Sequence, residues 1–208
     1  MDKYEYIVNL AEKTAKRVSQ NRESWMKFLT SAARIYKYPF KEQLLIYAQN
    51  PDATACASIE IWNKRMNCWV NKGSSGIALP DDTATYGHKL KYVFDVSDTG
   101  GRENSRRPFL WEMQDHHNEP ILEMLAEKFD VKESSLFEAF DIIARNLSKE
   151  YYEDHREDIR YLAENSFLEE YDEDNLQSAF VDAAAVSTAY TLMKRCGLET
   201  EEYFSHED

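Results

Sequence analysis

The sequence predicts an α+β chain: N-terminal helices, a small antiparallel β-sheet, then a mainly helical acidic C-terminal part. Three observations lead there. Apolar residues recur at three- and four-residue spacing through the first fifty positions, the stripe of helices packed on one side. Between Cys68 and Val96 the pattern changes to short apolar runs and alternation, as strands require. Beyond Glu119 the helical spacing returns among dense carboxylates.

Residues 4 to 19 form the first predicted helix. It leads into a second, on which Trp25, Phe28, Leu29, Ala32, Ala33 and Tyr36 share one face. Pro39 interrupts that pattern, and a third helix over residues 40 to 49 turns Phe40, Leu44, Leu45 and Ala48 inward until Asn50-Pro51 ends it. A short helix carries Ile59, Ile61 and Trp62 behind Ser58, a candidate N-cap. Cys68-Trp69-Val70 and Gly76-Ile77-Ala78-Leu79 flank the polar insert Asn71-Lys72-Gly73-Ser74-Ser75, which predicts a β-hairpin or tight turn. Residues 90 to 96 are the clearest strand, with Tyr92, Phe94 and Val96 on one face.

Residues 99 to 108, TGGRENSRRP, hold two glycines, three arginines and a proline, with nothing to bury, so they predict a linker. The expected division is an α+β domain over 1–100, a linker over 101–118 and an acidic helical region over 119–208. In that last region helices are expected over 119–129, 134–151, 153–167 and 174–196. Leu136, Phe140, Ile143, Ala144 and Leu147 form the buried stripe of the second, and Gly197 stops the fourth. No internal repeat or low-complexity tract occurs.

Composition narrows the function. With 208 residues, 43% hydrophobic and 13% aromatic, the chain can bury a core and is not a disordered protein. Its net charge of -13 argues against nucleic acid as a partner of the whole surface. The charge is unevenly placed: Lys and Arg against Asp and Glu number 17 and 12 over residues 1–110, but 8 and 26 over 111–208, giving +5 and -18. A nucleic-acid site therefore belongs on the first half. The acidic half is either a solvated helical surface or a face that docks a basic partner or shields the binding surface.

Cys56, Cys68 and Cys196 lie far apart without a CxxC pair, so neither a zinc site nor a disulfide framework is encoded, and reduced thiols are expected. The N-terminus lacks an apolar core of signal-peptide length and no run of 18 apolar residues occurs, which predicts a cytoplasmic chain.

Residues 25 to 99 interleave Tyr, Trp, Asn, Gln and Lys with short aliphatic runs, the residue types that stack bases and neutralise phosphates. Single-stranded nucleic acid is the partner this predicts. Tyr36, Tyr38, Trp62, Trp69 and Tyr92 are the candidate platforms. Trp25 and Tyr36 fall on a helical stripe and read as core, whereas Tyr38 and Trp69 sit beside a proline break and a turn. Lys37, Lys41, Lys64, Arg65, Lys72, Lys89 and Lys91 are the candidate phosphate contacts, with Arg102, Arg106 and Arg107 as a flexible extension, and Asn67 and Asn71 are placed to reach base edges. The set singled out is Tyr38, Lys41, Trp62, Lys64, Arg65, Asn67, Trp69, Asn71, Lys72, Lys89, Lys91 and Tyr92.

The order of these pieces is recognisable. Trp25 and Phe28-Leu29, Tyr36-x-Tyr38-x-Phe40, Gln43-Leu44-Leu45-Ile46, Gln49-x-Pro51-x-Ala53, Trp62-Asn63, Trp69-Val70-x-Lys72-Gly73, Gly76-Ile77-Ala78-Leu79 and Tyr92-Val93-Phe94-Asp95-Val96 together resemble the ArdC-like N-terminal domain. The resemblance covers about residues 20–100. It implies single-stranded DNA binding by this domain, as in antirestriction proteins of conjugative plasmids and at the front of large proteins of Gram-positive conjugative elements, with a link to antirestriction or DNA processing. It also implies that the chain is a fragment or short member of a family of longer proteins, and the ending at residues 201–208 carries no domain-closing feature.

Catalysis finds little support. ArdC proper has a metalloprotease-like domain with an HExxH helix, and His116-His117-Asn118-Glu119 does not match that spacing. The Lys72–Gly76 turn is too short for a nucleotide phosphate loop. Asp95 and Asp98 near a strand end fit a metal ion or, more simply, the turn itself. The expectation is a binding module with no cofactor and no metal. An acidic protein-interaction scaffold or DNA-mimic-like module is the alternative, mimicry requiring rows of exposed carboxylates at phosphate-like intervals.

Overall fold

The computed structural model describes residues 2–81, 87–166 and 168–200. They fall into two compact units, Met1–Trp111 and Glu112–Asp208. The fold is α+β, with helices first, a small antiparallel sheet, and a mainly helical C-terminal part.

In the first unit α1 (Lys3–Val18) opens with a reciprocal cap: Asp2 Oδ1 accepts from the Glu5 amide at 2.8 Å and Glu5 Oε2 accepts from the Asp2 amide at 3.1 Å. Asn21 caps α2 (Arg22–Arg34) by accepting from the Ser24 amide at 2.9 Å. Pro39 starts α3 (Phe40–Gln49), and its carbonyl accepts from the Gln43 amide at 2.9 Å. Five short strands follow: β1 (Cys56–Ser58), β2 (Cys68–Val70), β3 (Ile77–Pro80), β4 (Leu90–Asp95) and β5 (Thr99–Gly101). One antiparallel sheet has the order β1-β4-β3, and β2 pairs separately with β5.

That pairing corrects the predicted hairpin. Cys68–Val70 and Ile77–Pro80 are strands, but they pair with β5 and β4 rather than with each other. The reason is visible in the insert: the Asn71 amide donates to Asp98 O at 2.8 Å, and the Ser74 amide donates to Asn71 O at 3.1 Å. The insert is thus tied to the start of β5, and it delivers the chain from the ribbon to the other sheet.

Ile7 and Ala11 of α1, Leu45 and Ile46 of α3, Ile77 and Leu79 of β3 and Val93 of β4 form one core. Fully burying each of the larger aliphatic side chains contributes about 1.5–3 kcal/mol. β3 is a buried edge strand, so its peptide groups that face away from β4 need partners. The side chain of Gln49 supplies them, donating to Ala78 O at 3.0 Å and accepting from the Ala78 amide at 2.9 Å. Gln49 therefore closes the sheet edge from the last turn of α3. On β4 the alternation is as expected, yet the buried face carries Val93 and Asp95, while Tyr92 is exposed and Phe94 half-buried.

Two aromatic assignments on the helices reverse. Tyr36 and Phe40 were expected in the core and are 52% and 56% exposed. α2 ends at Arg34, so Tyr36 leaves the helical stripe, and Phe40 sits on the first turn of α3, its ring perpendicular to that of Phe28 (ring centroids 5.6 Å apart). Ile46 takes an inward position instead.

The linker prediction is also revised. Thr99–Gly101 are strand residues, and the following turn is fastened back: the Ser105 hydroxyl donates to Asn67 O at 2.7 Å and the Arg106 amide to Met66 O at 2.7 Å. Glycines that look like spacer are there because the paired strand needs backbone without side chains. The units divide after Trp111.

The second unit is built from α4 (Asn118–Phe129), α5 (Leu136–Ala163) and α6 (Glu173–Arg195). Asp130, in the left-handed region at φ 55°, ends α4. The helices expected over 134–151 and 153–167 are one helix with a kink at His155 (φ -121°, ψ 19°), and Phe167 lies outside the described residues. Asp172 caps α6 by accepting from the Asn175 amide at 2.8 Å. At its other end Gly197 has φ 69°, with the Gly197 amide donating to Lys194 O and the Leu198 amide to Met193 O, the Schellman arrangement that the sequence predicts. Leu136, Phe140, Ile143 and Ala144 of α5 pack with Ala185, Ala189 and Met193 of α6. Leu147 departs from the predicted stripe and is 43% exposed, because Ala139, Ser148 and Tyr152 complete the buried face. The ending at residues 201–208 lies outside the described residues. Among the described residues, no helix is long and apolar enough to cross a membrane.

Candidate nucleic-acid interface

Six of the twelve predicted residues, Lys64, Arg65, Asn67, Trp69, Asn71 and Lys72, lie on β2 or on the segments that enter and leave it. Its approach is set by a π-helical turn, Ile61–Arg65, closed by the Met66 amide donating to Ile61 O at 3.1 Å. The Ser58 hydroxyl, expected to cap this turn, accepts from the Ile61 amide at 3.4 Å from the end of β1, while Glu60 stands at the N-cap position. Asn67 then adopts φ 50°, a left-handed conformation that Asn tolerates better than most side chains, and turns the chain into β2.

Trp69 lies directly across from Gly100 and is 40% exposed. A Cβ at Gly100 would overlap the indole, so the ring rests on bare backbone. The Arg102 guanidinium stands 5.9 Å from the ring centroid and donates through Nη1 to Asn67 Oδ1 at 3.3 Å. Ser105 Oγ accepts from the Arg102 amide while donating to Asn67 O, which holds the arginine's backbone in place. Successive strand residues face opposite ways. Arg107, within 3.3 Å of where a Gly101 Cβ would be, therefore lies against the ribbon face opposite Trp69. Lys64, Arg65, Asn71 and Lys72 are exposed on the segments entering and leaving β2. A half-covered indole beside a positioned guanidinium, among exposed cations, can stack a flat ring on one side and neutralise phosphates around it.

Other predicted residues sit elsewhere. Trp62 is 1% exposed and its Nε1 donates to Phe94 O at 2.9 Å, so it is a core residue and offers no face to a base. Tyr38 is half-buried, donates its hydroxyl to Cys56 O at 2.7 Å, and is pushed above its ordinary pKa by that burial, with Cys56 and Glu42 adding to it. It anchors α3 to β1. Asn67 is a turn and positioning residue more than a base reader. Lys91 pairs with Glu42 at 2.7 Å, so its charge is already partly neutralised. Tyr92 is 38% exposed on β4, with Lys3 Nζ 5.0 Å from its ring centroid. Lys41 and Lys89 are exposed.

Arg102, expected in a flexible extension, is instead tied to Trp69 and Asn67. A usable signal was present: adjacent glycines in TGGRENS, short of any helix, leave room for a large ring across a strand pair.

Asp95, Cys56 and His117 each have structural partners. Burial pushes the Asp95 carboxyl up, but hydrogen bonds from Ser97 Oγ (2.7 Å), the Ser97 amide (3.0 Å) and the Thr54 and Ala55 amides (2.7 and 2.9 Å) together hold it below its ordinary range. This carboxylate splices β4 to the turn before β1. Burial, with Asp95 nearby, pushes the Cys56 thiol up to about 12, which leaves it protonated and a poor nucleophile at neutral pH. His117 Nδ1 accepts from the Gln114 amide at 2.9 Å, a loop role. Among the described residues no group of three His, Cys, Asp or Glu side chains is arranged to hold a metal ion.

Part of the acidic surface is used within the second unit. Arg145 pairs with Asp182 at 2.7 Å, Arg156 with Glu173 at 3.3 Å, and Tyr152 donates to Glu173 at 2.9 Å. Compared with known proteins, the chain matches no family model, no curated protein and no solved structure.

Proposed function

We propose that the first unit is a non-catalytic module that binds single-stranded DNA along the β2–β5 ribbon. The observation that carries the reading is the Trp69–Arg102–Asn67 arrangement, a half-exposed indole laid on Gly100 with a guanidinium held beside it. Trp69 stacks a base, Arg102 and Lys72 meet the flanking phosphates, and Lys64 and Arg65 extend the basic track. Charge supports this placement, since residues 1–110 carry +5 in a chain of -13. Stacking is indifferent to base identity, so the module is tolerant of sequence.

The resemblance of residues 20–100 to the ArdC-like domain supports the same partner. On this reading the chain works in the cytoplasm as part of a mobile-element protein, where it holds a strand during antirestriction or DNA processing. Photocrosslinking of a single-stranded oligonucleotide to the full chain, followed by peptide mapping, tests it. Crosslinks within residues 64–107 are the expected result. Crosslinks confined to residues 112–200 would refute the assignment.

A further inference from the structure

We infer that the C-terminal end of α5 is a docking surface for a basic, amphipathic segment of a partner protein. Tyr161 and Leu162 are 71% and 75% exposed, while Ile159 and Ala163 on the inner side of the same turns already pack into a core with Tyr152 and Leu176. Asp158 lies three and four residues before them, on the same outer face one turn back. The apolar pair thus stands outside the packing of its own unit.

Described residues that follow α5 are bonded back to its last turns and to one another. Arg160 donates to Tyr171 O at 2.7 Å and to Glu169 O at 3.1 Å, the Ser166 hydroxyl donates to Ala163 O at 2.6 Å, and the Asn165 amide donates to Glu169 Oε2 at 3.0 Å. Tyr171, 39% exposed, is held beside the helix end by those bonds. A surface already ordered loses little entropy when something binds it.

Charge decides the occupant. Residues 157–172 contain Glu157, Asp158, Glu164, Glu169, Glu170 and Asp172 against a single base, Arg160, whose guanidinium is engaged by two carbonyls. Nucleic acid is repelled there, and a symmetric pairing of two copies through this surface would set one strongly acidic half against another. An apolar side chain flanked by Lys and Arg fits both features: the apolar contact supplies affinity, and the carboxylate rim supplies rate and selectivity. This inference is independent of the strand-binding reading.

The test uses the full chain and a labelled helical peptide of Leu and Lys arranged with one apolar and one cationic face. Its comparison is the same composition scrambled so that no face forms. Fluorescence anisotropy at about physiological salt, where charge alone is partly screened, should show the amphipathic peptide binding at least about tenfold tighter than the scrambled one. Replacing Tyr161→Ser and Leu162→Ser together should remove about tenfold or more of that affinity with an unchanged melting temperature. Leu162→Ala alone, expected to lose a smaller part, serves if the double variant is unstable. Absence of binding, equal binding of both peptides, or binding indifferent to these substitutions would overturn the inference. So would a dimer in sedimentation that the substitutions convert to monomer.

Discussion

Trp69→Ala separates a stacking residue from a packing residue, and the structure sets the size of both effects. Trp69 is 40% exposed, so somewhat over half of the residue is covered, with Gly100 and Arg102 against the indole. An aromatic side chain buries about 150–250 Å² when fully covered. Covering roughly 60% of that at about 25 cal/mol per Å² is worth about 2–4 kcal/mol of stability. Stacking one base is worth about 1–3 kcal/mol of binding, or roughly 5- to 150-fold in affinity. The assay is a thermal melt paired with anisotropy of a labelled single-stranded oligonucleotide, both on the full chain at a temperature where the variant remains folded. The reasoning predicts a lower melting temperature and a 5- to 150-fold loss of affinity, with Trp69→Phe intermediate in both. A folded Trp69→Ala protein that binds the strand as tightly as the parent would refute the stacking role.

Four further substitutions probe the site and the fold that carries it. Gly100→Ala places a methyl group inside the indole's position, so the ring must move; a shift in tryptophan emission and weakened strand binding are expected, and unchanged emission would contradict the contact. Gln49→Ala strips the partners from the Ala78 amide and carbonyl, at about 1–3 kcal/mol for each buried group left unsatisfied, and the drop should be seen in denaturant midpoints without change in strand affinity at a saturably folded condition. Asp95 has its folded pKa depressed from the ordinary 3.8, so its stabilisation is complete above that unfolded value and is lost as pH falls through the lower folded value. Asp95→Asn should therefore be less stable than the parent at neutral pH, with the gap narrowing below about pH 4; a gap independent of pH would count against the carboxylate's role. Lys72→Ala should lower the salt slope of binding by about 0.7, the release expected per single-strand phosphate contact.

How much of this was legible in the sequence depended on how local the signal was. α3 was expected over residues 40–49 and spans Phe40–Gln49, because Pro39 and Asn50-Pro51 punctuate it chemically. The Gly197 cap was likewise local. β2, β3 and β4 were readable from β-rich runs, but β1 and β5 were not, and neither were strand partners: the Asn71–Ser75 insert looks like a hairpin turn, yet β2 pairs with β5 and the Asn71 amide bonds Asp98 O. The same distance problem hid Arg102, thirty-five residues from the asparagine it holds. Aromatic side chains were the least legible, since stacking platforms and core residues use the same types. Trp62 and Trp69 are seven positions apart in one amide-rich stretch, yet one is sealed under β4 and the other lies open on a ribbon.

The central claim is that the full chain holds a single strand of DNA on the face carrying Trp69. The most direct measurement is a titration of a labelled single-stranded oligonucleotide with the full chain across a salt series, beside a duplex of the same sequence. The account predicts saturable binding that prefers the single strand, weakens as salt rises, and falls in the Trp69→Ala variant. Equal affinity for duplex and single strand, or no binding by a folded chain at low salt, would contradict it.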